Sequence, residues 1–138
     1  MRILLVDDHR ALRHYVRSLL ETQRDLTVIA EADSGADGVN LARRLKPDVV
    51  VMDIGMGGMT GIQATALMRH ELPETRILIL TVHDDGAYVR HAIQAGAVGY
   101  ILKDTNLPLE LGKAIRVVHE GGRYFGPGLD ANNTETPL

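Results

Sequence analysis

Short runs of aliphatic residues alternate along this chain with segments in which apolar residues recur every three or four positions. The aliphatic runs predict strands at residues 3–6, 27–31, 48–53, 76–81 and 98–102. The segments between and after them predict helices at about residues 10–22, 35–46, 62–71, 86–95 and 107–120. Strands and helices that alternate in this way are typical of parallel βαβ units. We therefore predict an α/β fold with a doubly wound, five-stranded parallel sheet and helices on both faces.

Size and composition limit the class of protein. A chain of 138 residues can form one domain with a substantial core. It has no cysteine, which excludes disulfides and thiolate chemistry, and its net charge of −3 gives no reason to expect direct binding to nucleic acid or to a membrane surface. No apolar stretch approaches the roughly 18 residues of a membrane span. We expect a cytoplasmic protein.

Carboxylates follow two of the predicted strands directly. Asp7 and Asp8 come after the aliphatic residues 3–6, and Asp53 comes after residues 49–52. A carboxylate at the end of a buried strand is costly to desolvate unless another group neutralises it. Because the carboxyl ends of parallel strands meet at one edge of the sheet, we expect the three acids to share one anionic pocket. Such a pocket suits a hard cation that prefers oxygen ligands.

The same edge of the predicted sheet receives groups that suit phosphoryl chemistry. The fourth strand ends at Thr81, with His83 just beyond it, and the fifth strand is followed by Lys103. An ammonium group and a hydroxyl can bind phosphoryl oxygens, while an aspartate can attack phosphorus and form an acyl phosphate. The set lacks a group that would pass the phosphate on to an external acceptor. We therefore expect a phosphoryl-accepting site.

Four motifs carry a resemblance to a known family. They are LVDDH at 5–9, PDVVVMDI at 47–54, LTVHDD at 80–85 and GAVGYILK at 96–103. In this order and spacing they resemble those of bacterial response-regulator receiver domains, most of all the NarL/FixJ class of transcriptional regulators. The resemblance covers nearly all of residues 2–125 and implies a flavodoxin-like fold.

The resemblance implies roles for the residues of this edge. Asp53 would accept phosphate from a sensor histidine kinase, and Lys103 and Thr81 would assist the transfer. Asp8, Asp53 and the backbone carbonyl of Gly55 would ligate Mg²⁺, for which Mn²⁺ can substitute, and Asp7 would act through a water. The chain would thus be a phosphoacceptor switch and not an enzyme that acts on other substrates.

The resemblance also implies how the phosphate is sensed and how long it survives. Thr81 and Tyr100 would form the switch pair, the Thr81 hydroxyl moving towards the phosphoryl group and the Tyr100 ring filling the space that it leaves. Gly55 and His83, each two residues past a site residue, would tune the lifetime of the phosphate.

The output is expected to lie outside this chain. Members of the class bind DNA through a separate C-terminal domain, and no pair of basic helices follows Gly121 here. Residues 1–122 are predicted to form the receiver domain, and residues 123–138 the start of a linker or a disordered tail. A homodimer formed on phosphorylation is a further partner that the resemblance implies. The sequence leaves open the kinase, the stimulus, the target genes and the dimer surface.

Three other functions were compared with this one. A magnesium-dependent phosphohydrolase with an aspartyl nucleophile usually has a second acid where this chain has Gly55. A flavodoxin-like cofactor module needs a phosphate-binding loop after the first strand, where this chain has Asp7 and Asp8. A receiver that binds partners without being phosphorylated would not need the full set of site residues.

Several other polar residues are interpreted as structural. Asp84 and Asp85 precede a predicted helix and suit its N-terminus electrostatically. For Asp8, capping of the first helix is the alternative to metal binding, and the presence of Thr81 and Lys103 favours metal binding. The stripe formed by Arg10, Arg13 and Arg17 on that helix is interpreted as a solvated face.

The chain departs from the family pattern at two places near the site. Lys103 is followed by Asp104, where many receivers have a proline and a cis bond; the sequence leaves open whether this bond is trans. The loop after Asp53 has Gly57 where the family usually has proline, and four of its residues between 55 and 61 are glycine. We expect a more mobile loop, and hence weaker metal binding through the Gly55 carbonyl.

Replacing Gly57 by proline tests the effect of this loop. Proline restricts the backbone in the unbound state, so Gly57→Pro is expected to raise the affinity for Mg²⁺ by fixing the loop that carries Gly55. Titration with Mg²⁺ measures the change. Unchanged or weaker binding would contradict the hypothesis.

Overall fold

All six strands of the structure run parallel in a single sheet. The computed structural model describes residues 1–127 and residue 129. In chain order its elements are β1 (Arg2–Val6), α1 (Arg10–Glu21), β2 (Thr27–Ala32), α2 (Gly35–Leu45), β3 (Val49–Met52), α3 (Gly61–Glu71), β4 (Arg76–Thr81), α4 (Gly86–Ala95), β5 (Gly99–Leu102), α5 (Leu107–His119) and β6 (Tyr124–Phe125).

The order of the strands across the sheet is β2-β1-β3-β4-β5-β6. The chain therefore winds outward from β1 in both directions, which is the doubly wound arrangement predicted from the sequence. β1 pairs with β3 in a register that places Val6 beside Met52, and β4 pairs with β5 so that Thr81 lies beside Leu102. The residues that follow these four strands consequently emerge at one edge. The predicted fold class is confirmed.

Side chains of each central strand alternate between two buried layers. On one face Leu4 and Val6 of β1 pack with residues of α2, α3 and α4, and on the other face Ile3 and Leu5 pack with residues of α1 and α5. Because both faces are covered, most positions of the central strands are apolar. This explains the continuous aliphatic runs in the sequence.

β6 was not predicted. It pairs with β5 through Gly99 and Tyr100, and it follows the glycines at 121 and 122. Its two residues are too few to produce a periodic pattern, and its partner lies more than twenty residues earlier. The predicted boundary at residue 122 remains a prediction, and the polar segment 130–138 lies outside the described residues.

The helix ends use the local interactions that the sequence indicates. The Ser34 side chain accepts a hydrogen bond from the amide of Asp37 at the start of α2, and Gly96 ends α4 with a φ of 117°. Asp85 caps α4 by accepting from the amide of Ala87, in agreement with its structural interpretation. The Lys103–Asp104 peptide bond, left open by the sequence, is trans.

Gly61, the first residue of α3, packs against the backbone that follows β3. A Cβ at this position would lie 1.9 Å from the carbonyl oxygen of Asp53. Real atoms cannot approach so closely, and the obstructing atom belongs to the backbone, so a larger residue must displace either α3 or the end of β3.

Comparing Gly61 with Gly57, which lies in the loop just before α3, tests this packing. We expect Gly61→Ala to lower the free energy of unfolding by about 1–3 kcal/mol or more, as overpacking does in a closely packed core. Gly57→Ala is the matched control, because no atom lies within 4 Å of a Cβ at Gly57. Urea denaturation measures both. Equal stability of the two variants would show that the loop at Gly61 can relax freely.

Candidate functional site

Three carboxylates converge at the carboxyl edge of the sheet. One oxygen from each of Asp7, Asp8 and Asp53 lies within 4.8 Å of the others. The convergence follows from the pairing of β1 with β3, which continues past the strand ends: the amide of Asp53 donates to the carbonyl of Val6 at 2.9 Å. Asp7 and Asp53 are buried, with 7% and 6% of their surfaces exposed, whereas Asp8 is exposed.

Lys103 supplies the positive charge of this cluster. Its Nζ lies 3.0 Å from Oδ2 of Asp7 and 3.3 Å from Oδ2 of Asp53. The Lys103 amide donates to the carbonyl of Thr81 at 2.8 Å, which fixes the residue just beyond β5 against the end of β4. The side chains that the sequence placed on strands 1, 3 and 5 therefore meet in one cluster.

Asp53 keeps acceptor capacity that the protein does not fully use. Its Oδ1 accepts from the amide of Ile54 at 2.8 Å, and its Oδ2 faces Lys103. Each carboxylate oxygen has more than one lone pair available for a cation or for bond formation. A buried carboxylate held by one amide and one ammonium is well oriented to act as a nucleophile.

The cluster carries more negative charge than Lys103 can neutralise. Burial raises the pKa of the Asp7 carboxyl, and the charge of Asp53 adds to the rise, although the His9 amide and Lys103 oppose it. Three acids facing one ammonium group leave a negative site at the sheet edge. Oxygen donors with excess negative charge are the chemistry that hard divalent cations prefer, so the residues present fit such an ion.

Asp8 does not cap α1. The N-cap residue is His9, which makes no capping bond with its side chain, and the amide of His9 donates to Oδ1 of Asp7 at 2.8 Å. Asp7 is thereby held in place, while the exposed Asp8 carboxylate stays directed towards the cluster. The capping interpretation of Asp8 was wrong.

Arg13 supports the acidic cluster and was not recognised in the sequence. One guanidinium nitrogen donates to the carbonyl of Asp7 at 2.6 Å, and Nε binds Glu31 at 2.8 Å. Arg17 binds the other oxygen of Glu31 at 2.5 Å. Only 14% of the Arg13 side chain is exposed, so it is not part of a solvated face. Its spacing from Asp7 and the position of Glu31 on the neighbouring strand were the available indications.

Thr81, the last residue of β4, and Tyr100, within β5, are both fully buried. The Tyr100 hydroxyl donates to the carbonyl of His83 at 2.6 Å, and the His83 amide donates weakly to the Thr81 hydroxyl at 3.4 Å. Burial raises the pKa of Tyr100, and the charge of Asp53 adds to the rise, so the hydroxyl stays protonated. Its hydrogen bond to His83 can therefore be broken by a movement of the side chain but not by loss of the proton.

His83 is also held by its ring. The imidazole stacks on Tyr88 of α4 with 4.4 Å between ring centroids and 26° between planes. The opposite constraint comes from the loop after β3, because a Cβ at Gly55 would lie 3.1 Å from Nε2 of His83. His83 and Gly55, which the sequence placed at neighbouring strand ends, are thus in contact, whereas the stack with Tyr88 was not predicted.

Among the residues that the structure describes, no helix is both long enough and apolar enough to cross a membrane.

Known proteins provide an independent comparison. Residues 3–116 match the model of the response regulator receiver domain. The chain is 45% identical over 125 residues to the uncharacterized transcriptional regulatory protein YxjL of Bacillus subtilis, covering 91% of this chain and 57% of that protein. It is 44% identical over 121 residues to the transcriptional regulatory protein LiaR of Bacillus subtilis, covering 88% and 57%. The chain thus spans a little over half the length of these relatives.

Solved structures agree with the sequence relatives. A two-component response regulator of the LuxR family from Aurantimonas superposes with a TM-score of 0.90 at 39% identity, covering 96% of this chain and 94% of that chain. The receiver domain of the putative response regulator NarL from Mycobacterium tuberculosis gives a TM-score of 0.82 at 39% identity, covering 87% and 96%. Together with the family match, these relatives show that the chain belongs to the receiver domains of two-component response regulators.

Proposed function

We propose that Asp53 accepts a phosphoryl group from a sensor histidine kinase and that the domain responds by changing conformation. The observation that carries this proposal is the buried Asp53 carboxylate, paired with Lys103 and close to two other acids at the carboxyl edge of the sheet. The carboxylate oxygen would attack phosphorus, and the bond from phosphorus to the donor's histidine nitrogen would break, the nitrogen keeping the electron pair.

The residues around Asp53 have distinct parts in the proposal. Lys103 would shift from pairing two carboxylates to binding a phosphoryl oxygen, which is a short movement of an ammonium group already at the site. Asp8, Asp53 and the Gly55 carbonyl would hold Mg²⁺ or Mn²⁺, with Asp7 acting through a water. When bound, the ion supplies charge neutralisation for the incoming phosphoryl group.

The switch would begin with the Thr81 hydroxyl. A phosphoryl group adds close to two negative charges and three strong acceptors, which attract a nearby donor. The Thr81 hydroxyl now accepts only the long bond from the His83 amide, so little is lost when it turns. Tyr100 would then fill the vacated space and give up its bond to His83.

The chain is proposed to act as a switch for another domain or protein and not on a separate substrate. Several relatives are named transcriptional regulators, and this chain matches only part of their length. We infer an output in transcription through a DNA-binding domain outside this chain, with a homodimer as a further partner. A cytoplasmic location belongs to the same proposal, since such an output requires access to DNA.

Incubation with a small phosphodonor tests the proposal. With Mg²⁺ and acetyl phosphate or phosphoramidate, we expect the intact mass to increase by one phosphoryl group. The increase should be absent in Asp53→Asn and should require the divalent ion, so a sample with chelator is the second control. An unmodified wild-type mass, or a modified Asp53→Asn, would contradict the proposal.

Replacing Asp7 by asparagine separates two effects of its buried charge: the cost to folding stability and the contribution to Mg²⁺ binding. Because burial raises the pKa of Asp7, the ionised carboxyl destabilises the folded state at neutral pH. That penalty is present above the folded-state pKa and disappears as the pH falls below the unfolded-state value. Without divalent ions, we expect Asp7→Asn to unfold at a higher urea concentration than wild type at pH 7, with the difference vanishing in acid.

The same variant should bind Mg²⁺ about 10- to 100-fold more weakly, as expected when an outer partner of the ion is lost. The exposed Asp33 gives a matched control, because Asp33→Asn also removes one negative charge but leaves Asp7, Asp8 and Asp53 unchanged. A less stable Asp7→Asn at neutral pH would show that the ion pair with Lys103 outweighs the cost of burial.

A further inference from the structure

Tyr88 lies outside the acidic cluster but contacts a residue next to it. The residue is 39% exposed on the first turn of α4, and its ring is stacked on the imidazole of His83. No other part of the proposed function uses Tyr88. The stack joins a helix to the segment between the end of β4 and the start of α4.

The imidazole of His83 has neighbours on one face and at one edge. The backbone carbonyl of His83 receives the Tyr100 hydroxyl, and its amide reaches the Thr81 hydroxyl. These bonds fix the main chain but not the ring. The ring is positioned by Tyr88 on one face and by the backbone of Gly55 at its edge.

Gly55 has no side chain, and the space that its Cβ would take lies against the His83 ring. The edge of the His83 ring formed by Nε2 and Cδ2 lies in that space, 3.1 Å and 3.9 Å from where a Cβ of Gly55 would be. The ring therefore lies beside the loop that follows Asp53.

We propose that Tyr88 is a positioning residue that holds the His83 ring over Gly55 and so lengthens the life of the phosphorylated state. This inference rests on the proposed phosphorylation of Asp53. Hydrolysis requires a water oxygen to attack phosphorus while the bond from phosphorus to the Asp53 oxygen breaks and the water releases a proton to solvent. A ring held beside Gly55 blocks the path of the attacking water to phosphorus.

Four variants separate this role from alternatives. After phosphorylation with phosphoramidate and removal of the donor, loss of phosphate is followed by intact mass. We expect Tyr88→Ala to shorten the half-life by about two- to tenfold, the range that loss of an aromatic pair implies for the held orientation. Tyr88→Phe keeps the stacked ring and should match wild type. His83→Ala should shorten the half-life at least as much as Tyr88→Ala.

The double variant decides whether Tyr88 acts through His83. If it does, His83→Ala with Tyr88→Ala should lose phosphate at the rate of His83→Ala alone. Fold-changes that multiply, an unchanged or longer half-life in Tyr88→Ala, or a Tyr88→Phe variant that behaves like Tyr88→Ala would each overturn the proposal.

A measurement on the unphosphorylated protein distinguishes failure here from failure of the proposed function. The ring protons of His83 should shift in the NMR spectrum of Tyr88→Ala and keep their positions in Tyr88→Phe. No shift would overturn the positioning role even if Asp53 is phosphorylated. A wild-type protein that takes up no phosphate would overturn the phosphorylation of Asp53 and this inference with it.

Discussion

The rest of the site depends on the Lys103 ammonium group and the two buried carboxylates that it joins. Asp7 and Asp53 come from adjacent strands and Lys103 from a third, so this interaction connects three separate segments of chain. A single positive charge cannot neutralise two buried acids. Burial raises the pKa of the Asp7 carboxyl, and the charge of Asp53 adds to that rise. The fold keeps the charges together because the parallel strands, apolar on both faces, deliver them to the same edge. The buried carboxylates lower the stability of the fold at the edge where the proposed chemistry needs their charge.

The connection from this edge to the remainder of the domain passes through His83. Its main chain is held by Thr81 and Tyr100, and its ring by Tyr88 and Gly55. A movement of the Thr81 hydroxyl would therefore weaken contacts of β5 and of α4 together. In the proposed switch, a few changed bonds at His83 would in this way pass a local change of charge to several elements.

The parts of the structure that sequence could predict are those determined by local pattern. Continuous aliphatic runs locate the central strands, and the residues that follow Val6, Met52 and Leu102 must then appear at one edge. The acidic cluster and Lys103 were therefore predictable.

The missed contacts depend on how separate elements pack. Arg13 was assigned to a solvated face because periodicity shows which side of α1 is polar, not whether an acid such as Glu31 covers it. The stack of Tyr88 on His83 depends on the path of the chain between β4 and α4. β6 forms because the chain returns to β5, and two residues are too few to show this in the sequence.

β6 gives the end of the described chain a particular attachment. The amide of Gly126 donates to the carbonyl of Tyr100 at 3.0 Å, so the polypeptide leaves the sheet beside the main chain of the same tyrosine whose hydroxyl holds His83. Residues 124–126 are thus hydrogen-bonded along β5. Any sliding of β5 would therefore carry residues 124–126 with it, because their main chain is hydrogen-bonded to that strand.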